Sequence, residues 1–184
     1  MVWRVNWFGL AGGALILVVV FAALVVPWWQ VTVGEDLAQA NVSPFATHFN
    51  LFGTTFTIPL LWALNLVALL GFVAAGIVML IYSVIPAKSY SVHLLGFAYK
   101  KPLFGVLFFV AISFLSTAII AGLIGVYVPL SGSAVSTLPE RLTQDVTVSV
   151  VISSAFLWPF WLAVASTVLC ILARIYHPRV VRAS

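Results

Sequence analysis

The chain has 184 residues, 64% of them hydrophobic and only 7% charged, with a mean hydropathy of +1.21. A soluble domain carries about 25% charge, and a disordered chain needs low hydrophobicity, so both classes are excluded and one integral membrane domain, residues 1–184, remains. A net charge of +4 over eight basic residues is too weak a footprint for nucleic acid, and the single cysteine, Cys170, forbids an internal disulfide or a thiolate metal cluster.

Four apolar runs, near 8–26, 58–85, 103–128 and 146–175, predict four spans, because about 20 apolar residues of helix cross about 30 Å of hydrocarbon. The last three exceed that length and are expected to tilt or to project from the bilayer. Prolines punctuate the runs: Pro27 after the first, Pro59 and Pro86 around the second, Pro102 and Pro129 around the third, Pro139 and Pro178 around the fourth. Proline suits a first helical turn and disrupts an interior, so Pro159, alone inside a run, predicts a kink. The first run is read as a retained span. The small-residue triplet Ala38-Gln39-Ala40 lies too far beyond it to serve as a signal-peptide cleavage site.

Residues 28–57 form the first outer loop. In Gln30-Val31-Thr32-Val33 and again in His48-Phe49-Asn50-Leu51, polar and apolar residues alternate with period two. Thr54-Thr55-Phe56-Thr57 is β-branched and aromatic. The expectation is a small antiparallel β element of about three strands over the bundle, with Trp28 and Trp29 anchoring the loop at the membrane boundary. Asn41-Val42-Ser43 is a glycosylation sequon weakened by Pro44. The cytoplasmic loop 87–101 mixes aromatic and apolar residues with three lysines, which suits contact with lipid headgroups and a positive-inside determinant rather than a specific lipid site. The second outer loop, 130–145, is small and polar and is expected to pack beside the sheet.

Four spans place both termini on one side, together with Arg4, Lys88, Lys100, Lys101, Arg174, Arg179 and Arg182. The other side holds Arg141 and all four acidic residues, Glu35, Asp36, Glu140 and Asp145. The positive-inside rule makes this a multi-pass cell-membrane protein with cytoplasmic termini. Arg4, Lys88, Lys100, Lys101 and Arg174 are the residues expected at the headgroups.

No Asp, Glu, Lys, Arg or His lies within a span interior, which argues against proton relays, charge-coupled transport, haem, intramembrane metal sites and catalysis, so no cofactor is expected. His48, His93 and His177 read as solvated or interfacial side chains. Small-xxx-small pairs at Gly9 and Gly13, Gly71 and Ala75, and Ala118 and Gly122 read as helix-packing positions. The order of parts resembles the claudin and peripheral-myelin-protein-like four-span group, whose cytoplasmic termini frame four helices and whose first outer loop forms a sheet. The paired loop cysteines and the Gly-Leu-Trp triplet of that family are absent. The resulting expectation is a non-catalytic structural or accessory subunit, its partners being membrane lipids and copies of itself or other membrane subunits. The competing reading is a transporter or channel for a neutral or apolar solute, its path lined by Asn65, the hydroxyls of the fourth span and the Pro159 kink.

Overall fold

The computed structural model describes residues 5–34, 37–124, 126–137 and 149–182. It contains four long helices: α1 (Trp7–Val25), α2 (Pro59–Val84), α3 (Ser91–Ile124) and α4 (Trp158–Arg182). All four are long and apolar enough to cross a membrane. Helix α1 packs on α2 and α4, and α3 closes the bundle against the same two helices. Arg4, Pro139, the four acidic residues and Arg141 lie outside the described residues.

Between and beyond the helices run β1 (Trp29–Val33), β2 (Ala38–Val42), β3 (Thr47–Leu51), β4 (Thr54–Phe56), β5 (Gly132–Thr137) and β6 (Ser149–Phe156). They form one antiparallel sheet in the order β4-β3-β2-β1-β6-β5. The first inter-helix segment therefore supplies four strands, not three. The segment after α3 does more than pack beside them, since β5 and β6 continue the same sheet. The Ala38-Gln39-Ala40 triplet lies in β2, paired on both sides.

Three helix boundaries differ from the sequence expectation. The fourth span does not begin at 146. Residues 149–156 are strand, with Val150, Ile152 and Ser154 buried and Ser149 and Val151 exposed. That is period two, and a β-branched apolar run has the hydropathy of a span whichever conformation it adopts. Pro159 consequently sits in the first turn of α4, where its missing N–H costs nothing, and no interior kink arises from it. Pro178, expected beyond the helix, lies inside it.

The third correction concerns α3, which begins at Ser91 rather than near 103 and carries Pro102 in its interior. The loop 87–101 is thus mostly helix. Leu95, Ala98 and Pro102 are all buried, and their spacing of three and four residues places them on one face. Burial of that face carries the helix through the proline. At 34 residues, α3 is about 51 Å long and overshoots the hydrocarbon.

Helix contacts depend on missing side chains at α1. A Cβ on Gly9 would collide with the Ser83 hydroxyl, one on Gly12 would meet Cys170 Sγ at 2.9 Å, and one on Gly13 would meet the Gly76 carbonyl oxygen at 3.0 Å. Ala75 is buried in α2. Gly71 and Gly122, by contrast, face open space, and Ala118 is exposed. Because the obstacle at Gly13 is backbone, Gly13→Ala is expected to lower stability by about 1–3 kcal/mol, read from unfolding in detergent. An unchanged unfolding curve would contradict the close α1–α2 approach.

Candidate functional site

The sheet grows directly out of the bundle. β1 follows α1 and β6 leads into α4, and the two strands pair from Trp29↔Phe156 to Val33↔Ile152. The Leu157 N–H donates to the Trp28 carbonyl at 2.9 Å, so helix adjacency becomes strand adjacency without a break.

Trp28 is completely buried at this junction. Its ring meets Phe45, Phe72, Phe109 and Phe160 at centroid distances of 5.6, 6.3, 5.1 and 6.0 Å, each edge-on. Those four rings come from the β2–β3 link, α2, α3 and α4. Edge-to-face contact sets the positive rim of one ring on the negative face of another. Among the described residues the Trp28 Nε1–H has no hydrogen-bond acceptor. Trp29 lies one step outward, and its Nε1–H donates to the Leu130 carbonyl at 2.9 Å, tying β1 to the link between α3 and β5.

Directly opposed residues in an antiparallel sheet share a face. The register therefore separates two faces. Gln30, Asn41 and His48 form one row of the polar face, followed by Thr32, Gln39, Asn50 and Thr55. The opposite face carries Trp29, Val31, Val33, Ala40, Val42, Phe49, Phe56, Ile152 and Phe156. Its β1–β6 half is covered, for Val31 and Ile152 belong to one core cluster with Val126 and Val128.

The β4 half of the apolar face is uncovered. Leu51, Phe52 and Phe56 are 45%, 74% and 48% exposed, and Leu37 beside them is 45% exposed. Phe49 and Phe56 stack across β3 and β4, centroids 5.6 Å apart. Phe52 and Gly53 form the two-residue turn, both with positive φ (49° and 81°). A tight hairpin turn of this kind suits Asn-Gly, and an aromatic residue at positive φ is strained. The chain therefore holds a bulky apolar ring uncovered in a conformation that costs energy. β4 is also an edge strand among the described residues, with all three of its residues exposed.

At the other end of the bundle lies a polar knot that the sequence reading missed. Asn6 caps α1, its Oδ1 accepting from the Gly9 N–H at 3.1 Å. Its Nδ2 donates to the Tyr82 hydroxyl at 2.9 Å and to the Ala173 carbonyl at 3.0 Å. The Tyr82 hydroxyl lies 3.0 Å from His177 Nδ1. That hydroxyl therefore joins Asn6 of α1 and His177 of α4 in one hydrogen-bonded chain. His177 is buried, a correction to the solvated reading, whereas His48 and His93 are exposed. An Asn directly before an apolar run is an N-cap signal, and that was the clue available to sequence.

The remaining candidates fall as follows. Lys88, Lys100, Lys101 and Arg174 are exposed at the end of the bundle remote from the sheet. Asn41 stands in an inner strand, and the Ser43 of its sequon is buried, accepting from the Phe45 and Ala46 N–H groups. Asn65, with its amide oriented to satisfy its neighbours, donates to the Pro44 carbonyl and accepts from the Thr47 N–H and hydroxyl. Thr167 and Ser166 bond back to the Ala163 carbonyl. Ser153 and Ser154 belong to β6. Residues proposed to line a solute path are thus spent on holding strands and helices. Among the described residues no three His, Cys, Asp or Glu side chains gather as a metal site would need.

Four candidate spans bearing a six-stranded antiparallel sheet define a polytopic membrane protein of the helical-bundle class. No protein-family model matches the chain, and no curated protein or solved structure matches it significantly.

Proposed function

We propose that this protein is a non-catalytic structural or accessory membrane subunit that assembles, with copies of itself or with a larger membrane complex, through the uncovered end of its sheet and its lipid-facing helix surfaces. The reading places the termini and the α2–α3 link in the cytoplasm, because the basic residues collect there, and the sheet outside, in the manner of claudin-like four-span proteins. The observation that carries it is Phe52. A strained, exposed aromatic at a hairpin tip, flanked by exposed Leu51, Phe56 and Leu37, gains stability when a partner covers it. The open β4 edge beside it can accept a strand.

Phe52→Asn separates assembly from folding. Asn-Gly is the preferred pair for this turn, so the variant is expected to fold at least as stably as the parent. It loses the apolar tip and is expected to lose the partner. Native mass measurement after mild-detergent purification reads both. The parent should carry a second copy or another subunit, and Phe52→Asn should run as the single chain with an unfolding temperature no lower than the parent's. A parent that is a strict monomer, or a variant that assembles as well as the parent, overturns the reading.

A further inference from the structure

Helices α2 and α3 do not close on one another along their whole length. A groove of about 550 Å³ runs between them, with Ala68, Gly71 and Phe72 on one wall and Gly105 and Ala111 on the other, and Lys101 at one end. The Phe72 ring lies against the α3 backbone at Gly105, so that no Cβ could be accommodated there, while a Cβ on Gly71 would meet nothing within 4 Å. Phe72 therefore forms the floor, and the bare backbone at Gly71 leaves the space above it open.

Two lengths locate this groove in the bilayer. The uncharged stretch of α3 from Pro102 to Ile124 spans about 34 Å, a little more than the hydrocarbon thickness of about 30 Å. Lys101 therefore stands where the hydrocarbon begins. From Lys101 to Ala111 the groove extends along α3 for about 15 Å, which is the depth of one leaflet. Among the described residues no carboxylate compensates the charge at its mouth. Lys101 Nζ lies over the Phe97 ring at 5.6 Å, and the described residues include no Asp or Glu.

We infer that this groove is a binding site for one anionic phospholipid, an acyl chain lying along Gly71 and Gly105 and the phosphate pairing with Lys101. An apolar trough one leaflet deep that ends in an ammonium group complements such a lipid in shape and in charge. Lys101 thereby acquires a more specific part than a positive-inside determinant, and Gly71 serves as a vacancy rather than a helix contact.

The test uses the full chain reconstituted in vesicles of equal phosphatidylglycerol and phosphatidylcholine, then extracted in mild detergent for native mass measurement. The parent is expected to retain one phospholipid, enriched in phosphatidylglycerol by roughly fivefold, which corresponds to about 1 kcal/mol for one lysine at a charged surface. Gly71→Leu, whose Cβ would meet nothing within 4 Å, puts its side chain into the trough and should abolish retention. Lys101→Gln should keep a lipid but bring the two headgroups to parity. Gly122→Leu, an equally open glycine elsewhere on α3, should behave as the parent. Should Gly71→Leu unfold early, Ala111→Phe fills the other end of the groove. Equal retention in the parent and in every folded groove-filling variant, enrichment unaffected by Lys101→Gln, or a second copy of the chain displacing lipid in a Gly71-dependent manner would each overturn the assignment.

Discussion

Trp28→Ala is expected to lower the unfolding free energy by about 3–5 kcal/mol, the range for emptying a buried tryptophan site. The side chain is fully buried, and four phenylalanine rings from separate parts of the fold rest on it. In lipid the hydrophobic effect contributes little between helices, and packing carries their association. A void at a point shared by α2, α3, α4 and the β2–β3 link therefore forfeits dispersion contacts that no lipid chain can enter to restore. Trp28→Phe is the informative partner. It keeps most of the ring volume and removes an indole N–H that has no acceptor among the described residues, so the lost contacts are partly offset by removal of that buried donor. Its cost is expected to be about 1–2 kcal/mol. Unfolding in mixed micelles measures both. If Trp28→Ala costs less than about 1 kcal/mol, the indole is not the joint between sheet and bundle.

How much of this could be read from sequence depends on the range of the interaction. The four spans follow from hydropathy summed over some twenty residues, and the first strands from alternation at Gln30–Val33 and His48–Leu51, both local signals. β2 escaped because Ala38-Gln39-Ala40-Asn41-Val42 alternates only small apolar residues with polar ones and lies half-buried throughout, so the contrast between its faces is weak. β6 escaped for the opposite reason: 146–157 is so apolar that it merged with the helix behind it. Pro102 misled because local backbone rules stop a helix there, while the buried face of Leu95 and Ala98, a tertiary effect, carries it on. The position of Trp28 after Pro27 singled it out, yet its ring partners lie 17 to 132 residues away in the chain, beyond any periodicity. The same is true of Phe52. Its place beside Gly53 was visible as a break between strands, but its positive φ and its exposure are properties of the folded turn.

The polar knot at the other end of the bundle yields the second large effect. Asn6→Ala is expected to cost about 2–4 kcal/mol. Loss of an N-cap alone costs roughly 1 kcal/mol, and two further buried hydrogen bonds at about 1 kcal/mol each disappear with the amide. One of these holds α1 to the Ala173 carbonyl of α4, and the other holds it to the Tyr82 hydroxyl of α2. Asn6→Asp retains the capping oxygen but replaces the donor nitrogen with an acceptor facing a carbonyl and a hydroxyl oxygen, so it is expected to recover little of the loss. Tyr82→Phe acts on the same network from the other side, leaving one Asn6 proton and His177 Nδ1 without their partner. A shared network predicts non-additivity. The double variant Asn6→Ala, Tyr82→Phe should cost about 1 kcal/mol less than the two single costs combined, because the bond between these side chains can be lost only once. Strict additivity in a double-mutant cycle would mean that the bond between Asn6 and Tyr82 contributes nothing. A measured coupling would identify Asn6 as a pin that fastens α1 to α2 at the end of the bundle remote from the sheet, where its second amide proton reaches α4.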